Sequence, residues 1–240
     1  MNLKDMRMTV FVSVNLFHKL VYSALNVLCC AVLGFSISAT AQTATTAVLP
    51  TRLQQLTERL ATHPVLRAQF TQTKTVQGLQ RPLVSTGQFI LVQRPLAEGV
   101  LWRIEQPLQL SYWLTEQSVT EIQANGQRQT RRASELPAFS QIGRVFSGLM
   151  RLNQRELQQY FTWEYKDRNS DPEAWFLILH PNPQLANVIR QIRLGGKQYL
   201  EWLEIDEANQ DKLRIQLSRI QPAAQLTADE RQLIGLPEGK

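Results

Sequence analysis

The sequence predicts a mainly β fold with a few helices, an incomplete antiparallel β-barrel of about eleven strands whose open face is covered by helices. The pattern is strongest in residues 84–114, where Arg94-Pro95 and Gln106-Pro107 separate three apolar strands. Proline ends a strand because it cannot donate to a β-ladder. Asn125-Gly126 then marks a tight hairpin, and alternating segments continue almost to the C-terminus. Many consecutive antiparallel strands with one apolar face are typical of a strongly curved sheet.

Residues 1–41 have the pattern of a cleaved signal peptide. Basic residues come first, an apolar run extends from Leu20 to Ile37, and Ala39-Thr40-Ala41 is an Ala-x-Ala cleavage site. Leu28 precedes Cys29-Cys30 where a lipobox requires a small residue, and both cysteines leave with the segment. We therefore expect residues 42–240 to form a single exported domain without a lipid anchor or a disulfide.

Two regions have helical rather than strand periodicity. Leu53, Leu56 and Leu60 lie on one side of a predicted helix that His63-Pro64 ends. Between about residues 137 and 160, apolar side chains recur at helical spacing: Phe139, Ile142, Val145, Phe146 and Leu149. An open barrel leaves its concave apolar face uncovered, and these helices are the available covers. The periodicity does not decide whether the cover is a permanent part of the core or a displaceable lid over a ligand cavity.

No motif in the sequence indicates catalysis or a metal site. Outside the first 41 residues the histidines are His63 and His180, each next to a proline and without HExxH spacing. Gly195-Gly196 is interpreted as a hairpin turn and Asp206-Glu207 as a solvated turn. The formal net charge of +6 falls to +4 without residues 1–41, which hold three basic residues and one acidic residue. We expect no enzyme, no metal, no cofactor and no nucleic-acid partner.

A set of motifs resembles the LolA family of periplasmic carriers, which move lipoproteins from the inner to the outer membrane. Phe70-Thr71-Gln72 precedes the segment GQFILVQRP at residues 87–95, which Trp102 and Gln106-Pro107 follow in the order typical of the family. Thr115-Glu116-Gln117 stands where the family has Ser-Asp-Gly, and the interval from the Arg-Pro pair to Trp102 is longer than usual. The resemblance implies a LolA/LolB-like fold. The two departures from the family pattern bear on the identity of the cargo more than on the fold.

The resemblance also implies a function and a site. A periplasmic monomer would hold the acyl chains of lipoproteins, take them from an inner-membrane ATP-driven exporter and pass them to an outer-membrane receptor. Arg94 would donate hydrogen bonds to the lid helices and hold them closed. The acyl chains would contact apolar and aromatic residues of the strands: Phe89, Leu91, Trp102, Ile104, Tyr112, Leu114, Trp163 and Tyr165. The alternatives are a carrier of another lipid or glycolipid, and an RseB-like lipoprotein sensor.

Arginines are concentrated around the predicted lid. Residues 128–155 contain six of them with Glu135 as the only acidic residue, and the six are Arg128, Arg131, Arg132, Arg144, Arg151 and Arg155. Such a segment fits a basic surface that meets anionic lipid or an acidic partner, and it fits an ordinary solvated face equally well.

Overall fold

The structure is a computed structural model that describes residues 51–93, 97–132, 148–152, 154–167, 171 and 173–236. Its strands are β1 (Val65–Thr75), β2 (Leu83–Val92), β3 (Gly99–Gln106), β4 (Leu110–Leu114), β5 (Ser118–Gln123), β6 (Arg128–Arg132), β7 (Phe161–Asp167), β8 (Trp175–Pro181), β9 (Ile189–Gly196), β10 (Leu200–Glu207) and β11 (Lys212–Ala223). The helices are α1 (Thr51–Ala61), α2 (Gln154–Gln158) and α3 (Ala228–Ile234), and residues 148–151 add a helical turn.

All eleven strands belong to one antiparallel sheet in the order β6-β5-β4-β3-β2-β1-β11-β10-β9-β8-β7. The first and last strands of the chain's sheet region, β1 and β11, pair with each other at its centre. Strands β6 and β7 form the two ends and do not pair with one another, so the barrel is not closed. The predicted incomplete barrel of eleven strands is confirmed.

The inner face of the sheet carries the main core. Leu66, Ala68 and Phe70 alternate along β1, and each of them is buried. The apolar side of α1 packs onto this face, because Leu53, Leu56 and Leu60 belong to the same core cluster and are at most 5% exposed. The predicted amphipathic helix is therefore confirmed, together with the face that it covers.

The outer face of β1–β4 is covered as well. Ile90, Val92, Leu101 and Trp113 form a second core cluster with residues from the C-terminal segment, including Ile234 of α3. This explains why β2 has apolar side chains on both faces. The sequence indicates that neither face of β2 is exposed to water, and the structure shows that α3 is the cover.

Helix α3 is fixed at both ends. Thr227 and Glu230 form a capping box, and Gly235 ends the helix in the left-handed conformation at φ 76°. Arg67 of β1 donates to the Glu230 carboxylate through Nε and Nη2, each at 2.6 Å. At the other end, Arg128 donates to the carbonyl oxygens of Gln232 and Leu233 at 3.2 and 3.0 Å.

Two interpretations of short motifs are wrong. Gly195-Gly196 lies in β9, and the turn is formed by residues 197–199. Glycine is needed at residue 195 because a Cβ there would lie 2.8 Å from the ring of Trp202, which covers the strand. Asp206-Glu207 belongs to β10, and both carboxylates contact basic side chains rather than solvent alone.

Candidate functional site

The eight residues predicted to contact acyl chains all face the inner side of the sheet. Phe89 of β2, Trp102 of β3 and Tyr112 of β4 lie side by side in register across three neighbouring strands. Five of the eight belong to the buried core cluster: Phe89, Leu91, Trp102, Tyr112 and Leu114. The other three are partly buried against it: Ile104, Trp163 and Tyr165. The fold thus brings residues from β2–β4 and from the distant end strand β7 to one apolar surface.

Trp102 is the centre of this surface. Its ring stacks on Phe70 with centroids 4.0 Å apart, and Phe89 meets it edge-on at 5.9 Å. Phe70 was identified from its Phe-x-Gln motif without a role at the site, and the structure adds it to the aromatic cluster. Trp175 of β8 belongs to the same face, and its Nε1 donates to the Lys197 carbonyl at 3.0 Å. Its strand lies far from the motifs in sequence, so only the folded sheet brings it here.

Short helical segments cover the inner face. Leu149, a predicted lid residue, is 1% exposed, and Leu152 and Leu157 from the same part of the chain are buried in the core cluster. Together with the leucines of α1 they fill the space above the sheet. The other predicted lid residues lie outside the described part of the chain: Phe139, Ile142, Val145 and Phe146. Any ligand of the inner face must displace some of these covering side chains.

Polar contacts hold the cover at the end of the sheet where β2 leads into β3. Arg151 forms an ion pair with Glu98 of the β2–β3 connection, and the two side chains are 13% and 30% exposed. Thr57 of α1 donates to the Leu152 carbonyl at 3.3 Å. Arg94, the predicted clasp, lies outside the described residues. The Arg151–Glu98 pair was missed because 53 residues separate its partners in the sequence.

The arginines of residues 128–155 do not form one free basic surface. Arg128 is bonded to the C-terminal end of α3, and Arg151 is paired with Glu98. Arg155 is exposed on α2, and Arg144 lies outside the described residues. At least two of the six arginines therefore have structural partners within the chain.

A buried ionic cluster occupies the opposite end of the inner face. The Lys74 side chain is 3% exposed and forms an ion pair with Glu207, while its Nζ lies 3.6 Å from Oδ2 of Asp211. Asp211 also accepts hydrogen bonds from the Gln77 backbone N–H at 2.9 Å and from Asn209 Nδ2 at 3.1 Å. Sequence reasoning missed this cluster, since Lys74 and Glu207 are 133 residues apart.

A groove of about 540 Å³ lies on the outer face between α3 and strands β3–β5. Arg103 and Arg128 line it, but Arg103 is paired with Asp229 at 2.5 Å and Arg128 with helix carbonyls. Both arginines are thus partnered within the chain, and the groove carries no functional assignment.

Two strand residues have shifted pKa values. Burial, with the nearby Glu121 carboxylate, raises the pKa of the Tyr112 phenol, which is neutral at physiological pH. On the exposed side of β7, hydrogen bonding to His180 and the charge of Lys166 lower the pKa of Glu164. Within the described residues, no group of three or more His, Cys, Asp or Glu side chains is placed to hold a metal ion.

No helix in the described part of the chain has the length and apolar character required to cross a membrane.

No family model matches the chain, and no curated protein matches its sequence. Solved structures are similar to it. A DUF1329 family protein from Desulfovibrio piger is 10% identical with a TM-score of 0.39, covering 73% of this chain and 92% of its own. A LolA superfamily protein from Nitrosomonas europaea is 9% identical with a TM-score of 0.38, covering 75% and 97%. The lipoprotein LppX from Mycobacterium tuberculosis is 8% identical with a TM-score of 0.39, covering 73% and 96%.

One of these similar structures is thus a LolA superfamily protein. At these identities and TM-scores the neighbours assign no role to any residue of this chain, so functional inference depends on its own side chains.

Proposed function

We propose that this chain is an exported carrier that binds the acyl chains of lipoproteins against the inner face of its sheet and moves them between the two membranes. The observation that carries the proposal is an unclosed sheet whose broad aromatic and apolar face is covered by short, separate helical segments. A closed barrel would hold its core permanently. Here α1, residues 148–152 and α2 are not strands of the sheet, so their separation from it would break no strand pairing.

The energetics of the inner face support binding without specific polar contacts. Each methylene that leaves water contributes about 0.8 kcal/mol, so one long acyl chain provides most of the required affinity. The covering leucines, such as Leu53, Leu149 and Leu152, occupy this face in the unliganded chain. A cargo chain would replace their contacts with its own. Because one apolar contact is exchanged for another, net affinity stays moderate and release to an acceptor remains feasible.

The cellular setting is part of the same proposal. Residues 1–41 direct export to the periplasm, and residues 42–240 act there as one carrier domain. Arg94 holds the lid segments closed, and opening is coupled to an inner-membrane ATP-driven exporter and an outer-membrane receptor. The Arg151–Glu98 ion pair supports the idea of a fastened cover, because it joins residues 148–152 to the connection that contains Arg94.

The proposal is tested with a fluorescent fatty-acid probe and a competing lipopeptide. Trp163 and Trp202 make a matched pair, since both are half-buried tryptophans on opposite faces of the sheet. We expect Trp163→Glu to abolish probe binding because it places a charge on the acyl-binding face. Trp202→Glu should bind the probe like the wild type.

Equal binding by both variants, with both folded by circular dichroism, would show that the probe binds elsewhere and would contradict the inner face as its site. Mass spectrometry of lipids that copurify from periplasm would identify the cargo class. If a glycolipid or another lipid is recovered instead of lipoprotein, the proposed cargo is wrong but the proposed carrier function stands.

A further inference from the structure

The inner face changes from apolar to charged at one end, on three neighbouring strands at once. Along β1, Leu66, Ala68 and Phe70 are followed on the same face by Gln72 and then Lys74. The same change occurs on β11, which pairs with β1, and on β10 beyond it. Leu203 and Ile205 precede Glu207 on β10, and Leu217, Ile215 and Leu213 lead back to Asp211 before β11. Alternation places the apolar residues of each strand inward, and the contacts with Lys74 place Glu207 and Asp211 on the same side.

The register of the strands brings these changes together. Lys74 pairs with Leu213, and Leu213 pairs with Ile205, so Lys74 lies in the same row as the last apolar residues of β10 and β11. Glu207 and Asp211 lie one row further on, where they meet the Lys74 side chain. From Leu66 to Lys74 the strand advances roughly 26 Å, at about 3.3 Å per residue. That length is of the same order as an extended long-chain acyl group.

Two loops meet at the end of the sheet that holds the ionic cluster. The opposite end carries the cover that the Arg151–Glu98 pair fastens. The Ala208 N–H donates to the Val188 carbonyl at 3.0 Å, which brings the β8–β9 connection against the β10–β11 turn. Leu185 of that connection is buried in the main core. The β2–β3 connection with Glu98 lies at the far end, because β2 runs antiparallel to β1. An acyl chain that enters at the covered end would therefore meet the ionic cluster with its methyl terminus.

We propose that Lys74, Glu207 and Asp211 form a polar floor that stops the acyl chain and sets the longest chain that the inner face accepts. The inference rests on the proposed acyl-binding function and specifies its substrate class. Methylene groups cannot displace these side chains, since separating a buried ion pair costs more than their burial returns. Asp211 stays in place in any case, because Gln77 and Asn209 hold its carboxylate. The alternative is that the cluster has only a structural role, in which it links β1 to the β10–β11 turn and does not contact the acyl chain.

A variant that neutralises the floor distinguishes these roles. Lys74→Met, Glu207→Met and Asp211→Asn together remove every charge of the cluster. Affinities for laurate, palmitate and behenate are measured by calorimetry. The wild type should gain affinity from laurate to palmitate and lose it for behenate. In the variant each additional methylene that enters should raise affinity about four-fold, which increases the behenate-to-palmitate affinity ratio at least about ten-fold.

The matched control is the Arg67–Glu230 ion pair, which involves the same strand but the outer face. Arg67→Met with Glu230→Met should leave the chain-length ratio unchanged. Wild-type binding without a length limit, or an unchanged ratio in the neutral variant, would overturn the polar floor and leave the carrier proposal intact. Failure of the wild type to bind any of the three fatty acids would overturn both.

A second measurement needs no substitution and covers the case in which the variant does not fold. Palmitate carrying a diazirine at its terminal carbon is photo-crosslinked to the wild-type protein, and the labelled residues are mapped by mass spectrometry. We expect labels at Lys74, Ile205 and Leu213. A diazirine beside the carboxyl group should label the β2–β3 end instead. Terminal labels at the β2–β3 end would refute the proposed orientation and the floor with it.

Discussion

Removing the Arg67 side chain should weaken the attachment of α3 to the outer face of the sheet. Glu230 is 5% exposed, and its carboxylate accepts two hydrogen bonds from Arg67 at 2.6 Å and one from the Thr227 N–H at 2.7 Å. In Arg67→Leu a buried carboxylate loses its cation. Such a loss costs about 3–5 kcal/mol for a fully buried pair.

The expected magnitude is smaller because the Arg67 side chain is 29% exposed and water reaches it. We expect a loss of about 2–3 kcal/mol in the free energy of unfolding, which corresponds to a fall in Tm of roughly 5–10 °C for a domain of this size. The double variant Arg67→Leu with Glu230→Leu carries no buried charge and should recover most of this loss. Circular dichroism melts of the three proteins at neutral pH provide the comparison.

The pH dependence gives an independent check. Burial by itself raises the pKa of Glu230, but hydrogen bonding and charge from Arg67, with the Thr227 N–H, outweigh it and leave that pKa below its usual value. A lowered carboxylate pKa contributes stability that is fully present above the unfolded value of about 4.3 and is lost as the pH falls through the folded value. The gap in Tm between wild type and Arg67→Leu should therefore narrow in acid. Equal losses in the single and double variants, or a gap independent of pH, would refute this account.

Two further substitutions test the packing and the cover. A Cβ at Gly87 would lie 1.9 Å from the Arg103 carbonyl oxygen, so Gly87→Ala should lower the free energy of unfolding by at least about 2 kcal/mol, as measured by chemical denaturation. Val84→Ala, at an exposed site of the same strand, is the control and should lower it by less than about 0.5 kcal/mol. Arg151→Leu breaks the ion pair to the β2–β3 connection and should speed hydrogen exchange in residues 148–152 by roughly five- to thirty-fold, whereas the exposed Arg155→Leu should not; equal protection in both would contradict a fastening role.

Local features of the fold were predictable from the sequence because their causes lie within a few residues. The Asn125-Gly126 turn joins β5 to β6, and Gly126 has the left-handed φ of 81° that the turn requires. The capping box of α3 needs only Thr227 and Glu230. Alternation along β2–β4 predicted which side chains share a face, since the pleat fixes that choice once the strand is known. The side chains of β2–β4 that face the inner side could therefore be predicted, whereas Phe70 and Trp175 joined them only in the folded sheet.

The tertiary structure decided everything that depends on partners distant in sequence. The pairing of β1 with β11 at the centre of the sheet brings Lys74 to Glu207 and Arg67 to Glu230, across 133 and 163 residues. No local pattern distinguishes these side chains from solvated ones, so Glu207 was misread as part of a solvated turn. Whether a charged residue is buried depends on what packs above it, and that is fixed only when the sheet curves and its covers close over both faces.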